Sequence, residues 1–138
     1  MPARILIIED NPTNLELMSY LLQVFGHTVL TASDGEMGVE MVHRELPDLV
    51  LCDVQLPKLD GYGVAQQLKE DTVLRPAPLI AVTALAMVGD RDRVLAAGFD
   101  GYLPKPITPE TFVAEVEAFL RPQLRCTSGP PQMSPPPV

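Results

Sequence analysis

The sequence predicts an α/β fold, a doubly wound sheet of five parallel strands, (βα)5, with helices on both faces. Three observations lead there. Short apolar, β-branched runs alternate with longer stretches of helical period, giving β-α five times over. The runs are apolar at consecutive positions, as strands covered on both faces are. Proline, glycine and capping residues punctuate the junctions between them. With 138 residues and 46% apolar side chains, the chain can fill one sizeable core and is too short for two.

The first strand is expected at Arg4 to Ile8. A helix follows, with Asn11 as its N-cap and Pro12 at its first position; Leu15, Met18, Leu22 and Phe25 lie along one face, and Gly26 ends it. Thr28 to Ala32 reads as the second strand. Ser33 and Glu36 have capping-box spacing before a second helix whose Val39, Val42 and Leu46 share a stripe, and Pro47 stops it. Leu49 to Cys52 is the third and most apolar strand. Pro57 and Gly61 mark an exposed loop before a helix with Val64 and Leu68 inward; Pro76 and Pro78 close the next connection. Leu79 to Thr83 gives strand four, Val88 to Ala97 a weaker helix with Gly98 as its C-cap, and Gly101 to Leu103 a short fifth strand. Thr108 caps the last helix, Pro109 takes its first position, and Phe112, Val116, Phe119 and Leu120 form its apolar stripe. Six of the fifteen prolines fall in residues 122–138. The expected division is therefore a folded domain over 1–121 and a disordered or polyproline-like tail over 122–138.

Ten Lys and Arg against eighteen Asp and Glu leave a formal charge of −8. Such a surface repels nucleic-acid phosphates and anionic headgroups, and favours a divalent cation wherever carboxylates converge. The two cysteines, Cys52 and Cys126, show neither zinc-ligand spacing nor a disulfide framework, which suits a reducing, cytoplasmic compartment. The longest apolar stretch, Leu79 to Val88, is about half what a membrane span needs, and the opening Met-Pro-Ala-Arg runs into Ile5 to Ile8 and then Glu9 and Asp10. Neither a transmembrane helix nor a signal peptide is expected.

In a parallel sheet of this kind, ligands bind beyond the carboxyl ends of the strands. Strand one ends in Glu9 and Asp10, strand three in Asp53 and strand four in Thr83; strand five leads within two residues to Lys105. Three carboxylates at one edge repel one another unless a cation neutralises them, and all-oxygen ligands suit a hard ion such as Mg²⁺. Taken singly, Asp10 reads equally well as a helix cap, Thr83 as an ordinary strand residue and Lys105 as a surface lysine. Asp53 is harder to read that way, because it ends the most buried strand, where an unpaired charge is costly. Pro104 and Pro106 place Lys105 in a rigid turn, and a cis Lys105–Pro106 bond is one way to aim its side chain back at the acids.

Over roughly Ala3 to Leu120 the chain resembles the receiver domain of bacterial two-component response regulators. The residues that carry the resemblance are Ile-Leu-Ile-Ile-Glu-Asp-Asn at 5–11, Pro-Asp-Leu-Val-Leu-Cys-Asp-Val-Gln-Leu-Pro at 47–57, Asp-Gly at 60–61, Ala-Val-Thr-Ala at 81–84 and Gly-Tyr-Leu-Pro-Lys-Pro-Ile at 101–107. The resemblance implies a flavodoxin-like sheet of strand order 2-1-3-4-5. It implies that Asp53 is the phosphoacceptor and that Glu9, Asp10 and Asp53, with the backbone carbonyl of Gln55, organise Mg²⁺. Thr83 is implied as the switch hydroxyl, Lys105 as the contact to the phosphoryl group and Tyr102 as the switch aromatic. Many receivers have Asp where this chain has Glu9, and the longer side chain can reach the metal through water. The stretch from Ala81 to Met87, with Gly89-Asp90-Arg91-Asp92-Arg93 after it, is most similar to stand-alone regulators of the cell-division and differentiation type and to receivers of hybrid kinases.

The implied partner is a histidine kinase or histidine phosphotransfer protein, and the implied output a protein target at the face of helix four, strand five and helix five, with the chain a monomer or weak dimer. No helix-turn-helix pattern, basic helix or second core follows the last helix, so signalling by protein contact or onward phosphotransfer is expected, from a natural full-length regulator or a piece of a hybrid kinase. The chain is expected to catalyse only its own phosphorylation and dephosphorylation, with Gln55 and Leu85 flanking the path of attacking water and the phosphoryl group lost at a slow to intermediate rate. Two other readings fit less well. A Mg²⁺-dependent aspartyl phosphatase needs an acid where Gln55 stands, and a flavin or nucleotide binder needs a Gly-Ser-Thr-rich loop where Glu9-Asp10-Asn11-Pro12 stands.

Overall fold

The computed structural model describes residues 3–70, 77–84 and 90–120. In chain order the elements are β1 (Arg4–Ile8), α1 (Pro12–Val24), β2 (Thr28–Ala32), α2 (Gly35–Glu45), β3 (Leu49–Asp53), α3 (Gly61–Glu70), β4 (Leu79–Thr83), α4 (Asp90–Ala97), β5 (Gly101–Pro104) and α5 (Pro109–Glu117). All strand pairs are parallel, in the order β2-β1-β3-β4-β5. This is the doubly wound, flavodoxin-like sheet that the sequence predicts.

Because side chains alternate across a strand, each central strand feeds two cores. Ile5, Ile7, Leu49, Leu51, Ile80 and Val82 meet Met18 and Leu22 of α1 and Phe112, Val113 and Val116 of α5. Leu6, Ile8, Val50, Cys52, Leu79 and Ala81 meet Val42 of α2, Val64 and Ala65 of α3 and Val94 of α4. The consecutive apolar runs are thus explained by burial on both sides, and β1 and β3 between them place Glu9, Asp10 and Asp53 at one edge. β2 and β5 are the exceptions among the expected buried strands: β5, at one end of the sheet, buries only Leu103. β2 lies at the opposite end, and only Ala32 in it is buried.

Several local expectations are corrected. The N-cap of α2 is Asp34, whose side chain accepts the Met37 N–H, and not Ser33. The helix starts at Gly35, which must lack a side chain because a Cβ there would sit 1.8 Å from the Leu59 carbonyl oxygen. Leu46 is not on the buried stripe. Pro47 bars it from the helical region, it caps α2 at φ 48°, and it is exposed. Phe25 is exposed as well, since it is the C-cap of α1 and the chain turns away at Gly26 (φ 92°). Thr108 takes the N-cap position of α5 without a side-chain capping bond. Leu68 is half-buried against the second core, β3 extends to Asp53 and β5 to Pro104. The expected start of α4 at Val88, together with Leu85, Cys126 and the 122–138 segment, lies outside the described residues.

Gly61 matters to the site although it carries no chemistry. Its N–H donates to the Val54 carbonyl at 2.9 Å, and an added Cβ would meet the Asp53 carbonyl oxygen at 2.5 Å and the Val54 Cα at 2.6 Å. Both neighbours are backbone and cannot step aside as a side chain would. Gly61→Ala is therefore expected to destabilise the fold by about 1–3 kcal/mol and to displace the backbone of Asp53. Denaturant unfolding checks this, and an unchanged midpoint would refute the close approach.

Candidate functional site

The site is assembled at the carboxyl edge of β1, β3, β4 and β5. Glu9 leaves β1 with its N–H donated to the Ala32 carbonyl at 3.0 Å, and its side chain reaches the residue that caps α1. There Glu9 Oε2 accepts the Asn11 N–H at 3.1 Å, while Asn11 caps α1 by accepting the Asn14 N–H at 3.0 Å. Glu9 is buried, whereas Asp10 is exposed. Asp53, the last residue of β3, is buried, and its Oδ1 accepts the Gln55 N–H at 2.9 Å. Thr83 ends β4, buried, and its carbonyl accepts the Lys105 N–H at 2.8 Å. The Lys105–Pro106 bond is cis. Lys105 Nζ donates to Asp53 Oδ2 at 2.8 Å and lies 3.0 Å from Glu9 Oε1, an ion-pair contact without hydrogen-bond geometry. Tyr102 is half-buried on β5 against the second core.

The structure thus brings Glu9, Asp10, Asp53, Thr83 and Lys105 to one edge. The direct Glu9–Lys105 contact is not foreseeable from spacing, because 96 positions separate the two residues and only the strand order makes them neighbours. The role of Gly61 under Asp53 is equally hidden, although the Asp60-Gly61 pair marks the place.

Electrostatics follow from burial. Glu9 is pushed up to about 7 by burial first, then by the neighbouring Asp53 carboxylate; Lys105 and the Asn11 N–H pull the other way. For Lys105, burial lowers the pKa, but the hydrogen bond to Asp53 and the Glu9 and Asp53 carboxylates beside it prevail and raise it. Burial, reinforced by the charge of Asp53, Glu9 and Asp60, pushes the Cys52 thiol up, so it stays protonated and donates to the Asp53 carbonyl.

A cation fits this donor set. One carboxylate oxygen each from Glu9, Asp10 and Asp53 lies within 4.8 Å of the others, and three hard oxygens in an acidic cluster match Mg²⁺ rather than a soft metal. Since both Glu9 oxygens already face Lys105 and the Asn11 N–H, Asp10→Ala is expected to weaken Mg²⁺ binding by about tenfold or more, and by more than Glu9→Gln does. NMR titration decides between them, and equal affinity for wild type and Asp10→Ala would contradict the site as described.

A pH dependence follows for the metal-free protein. A carboxyl whose folded pKa is raised gives stability that is full below its ordinary 4.5 and is lost as pH rises through about 7, and the raised Lys105 subtracts nothing until above 10.5. Stability should therefore fall from about pH 5 to about pH 7.5 in chelator, while Mg²⁺ affinity rises over the same range as the ion displaces the proton. Unfolding curves that are flat across this window would contradict it.

Residues 5–117 match the response regulator receiver domain family. The chain belongs to this family. Its receiver is 37% identical over 120 residues to the polar-differentiation response regulator DivK of Brucella anthropi, covering 87% of this chain and 98% of that one. It is 40% identical over 118 residues to a "Probable transcriptional regulator ycf27" of Guillardia theta, covering 86% of this chain but only 45% of that longer protein. Among solved structures, it resembles the receiver domain of the sensor histidine kinase PA1611 of Pseudomonas aeruginosa, which has a magnesium ion coordinated in its active-site cleft. The TM-score is 0.78 with 34% identity, over 86% of this chain and 98% of that one. The DivK likeness over nearly full length agrees with the expected affinity to differentiation-type regulators, and the kinase receiver with the second affinity named above. Receiver domains are signalling modules that interact with histidine kinases and downstream targets. No described helix is long and apolar enough to cross a membrane.

Proposed function

We propose that the chain is a cytoplasmic phosphoacceptor that takes a phosphoryl group from phosphohistidine of a histidine kinase or phosphotransfer protein onto Asp53. The single observation that carries this reading is the buried Asp53 carboxylate, held at Oδ1 by the Gln55 N–H and at Oδ2 by the Lys105 ammonium, beside two further acids.

A carboxylate is a poor nucleophile towards an anionic phosphoryl group, so the chain must contribute position and compensating charge. The hydrogen bonds to both oxygens fix the Asp53 carboxyl plane. In the transfer, an Asp53 oxygen bonds to phosphorus as the P–N bond to the partner's imidazole breaks, and that imidazole leaves with the bonding pair. Lys105 then releases its bond to Asp53 and turns its ammonium to an oxygen of the transferred group, a short movement for a side chain already 2.8 Å away. Glu9, Asp10, Asp53 and the Gln55 carbonyl would hold Mg²⁺, which supplies charge neutralisation at the phosphoryl oxygens when bound. The product is an acyl phosphate, a phosphate near the dianion where a monoanionic carboxylate stood, so about one negative charge and three acceptor oxygens are gained. Thr83, at the end of β4, would donate its hydroxyl to that group, and Tyr102 would repack, biasing the face of α4, β5 and α5 for a protein target. Output passes by protein contact or onward phosphotransfer, from a monomer or weak dimer, without nucleic acid. The acidic surface supports the last point.

Phosphotransfer profiling against the histidine kinases of the source organism tests the proposal. The expected result is Mg²⁺-dependent loss of label from one or a few phosphorylated kinases with gain on this chain; label that never leaves any phosphohistidine donor would overturn it.

A further inference from the structure

We infer that His27 and Glu117 form a buried clasp that holds the last turn of α5 against the amino edge of the sheet, while the part of β5 and α5 nearer the site responds to the state of Asp53. His27 stands between the end of α1 and the start of β2, at the edge opposite the acids. Its side chain is 0% exposed and that of Glu117, the last residue of α5, is 1% exposed. Polar groups buried this deeply need partners. His27 Nδ1 accepts the Ala3 N–H at 3.0 Å, which leaves the ring proton on Nε2, and Nε2 donates to Glu117 Oε2 at 2.5 Å. The backbone round the ring is held too: His27 N–H donates to the Leu22 carbonyl at 3.1 Å and Thr28 N–H to the Ala3 carbonyl at 2.9 Å. One imidazole therefore ties β1, α1 and β2 to a helix 90 residues further along the chain.

The two ends of α5 are fastened differently. At its start, Phe112 and Val113 give apolar packing into the first core, but Thr108 gives no side-chain capping bond, and Pro109, Glu110 and Thr111 are exposed just beyond the Lys105 turn. At its end, Val116 and Glu117 are fully buried and Leu120 is packed into the first core. A rearrangement that begins at Lys105 and Tyr102 enters β5 and the first turns of α5 and stops at the clasp. This rests on the phosphoacceptor reading and deepens it, because it sets a limit to the responding face.

Hydrogen exchange on the full chain tests the clasp, without and with Mg²⁺ and beryllofluoride, a phosphoryl mimic, in wild type, Glu117→Gln and Glu117→Met. Gln keeps an oxygen that accepts the Nε2–H; Met fills the space and accepts nothing. In wild type and Glu117→Gln, the amides of residues 115–118 are expected to exchange at rates within about twofold of each other, loaded or not. In Glu117→Met, loading should change them by roughly tenfold or more, the factor that a lost hydrogen bond to a charged group represents. Loading that alters 115–118 in wild type as much as 101–112 overturns the clasp, a result that needs no variant, and so does a Glu117→Met protein that responds as wild type does. The fluorine NMR signal of bound beryllofluoride reads the site separately. Its absence in wild type overturns the phosphoacceptor reading and the clasp's role with it.

Discussion

Asp53→Asn is expected to abolish uptake of phosphoryl groups from both acetyl phosphate and phosphohistidine, while the chain still folds. The amide carries no nucleophilic charge, but its oxygen can accept the Gln55 N–H that holds Oδ1 in the wild type, so the β3 end keeps its local bond. Loss of one buried carboxylate also removes a repulsion that raises Glu9. Intact-mass measurement after exposure to acetyl phosphate and Mg²⁺ should show a phosphorylated species for wild type and none for the variant, at similar thermal stability without metal. Equal phosphorylation of the two would remove Asp53 from the chemistry.

Lys105→Met is expected to have the second-largest effect, for a different reason. The side chain fits a similar space, but the ammonium that reaches Asp53 Oδ2 at 2.8 Å and Glu9 Oε1 at 3.0 Å is gone. Phosphoryl uptake should fall by about 10²–10³-fold, the range for removing one preorganised charge-stabilising donor. Mg²⁺ affinity should hold or rise, since a competing cation has left the acid cluster. Glu9 should titrate higher still, because Lys105 is among the groups that lower it. Stopped-flow uptake and Mg²⁺ titration separate these effects. A variant that loses metal binding and uptake in parallel would assign Lys105 to holding the acids in place and not to the transferred group.

What was legible in the sequence follows from which forces are local. The three central strands are readable because burial on both faces demands consecutive apolar residues; the edge strands β2 and β5 are readable from the β-branched residues of β2 and the turn residues that bound both, and all five start where expected. Helix α1 was readable because Asn11, Pro12 and Gly26 act within a turn of themselves. The α2 cap is misplaced by one residue because Ser33 and Asp34 are adjacent capping residues, and only the backbone conformation shows that Asp34 takes the position. The exposure of Phe25 and Leu46 was missed for a related reason: helical period extrapolates past the residue where the chain turns.

The site divides along the same line. Strand ends are local features, so Glu9, Asp10, Asp53, Thr83 and Lys105 could be found one by one. Their pairing depends on the order β2-β1-β3-β4-β5, which the family resemblance implied and spacing alone does not supply. The burial of Glu9, its contact with Lys105 and the raised pKa that results are three-dimensional facts with no sequence signature. So is the His27–Glu117 pair, whose members look like unremarkable polar residues in their own segments.

The central claim is that one carboxylate, Asp53, bears the phosphoryl group. The most direct measurement is to phosphorylate the chain with a cognate phosphohistidine donor and Mg²⁺, reduce the acyl phosphate with borohydride and locate the product by peptide mass spectrometry. Hydride reduction converts a phosphorylated aspartate to homoserine and leaves unmodified carboxylates alone. The account predicts homoserine at position 53 only. Homoserine at position 10, a reduced Glu9, or label that survives borohydride on a histidine or hydroxyl would contradict it.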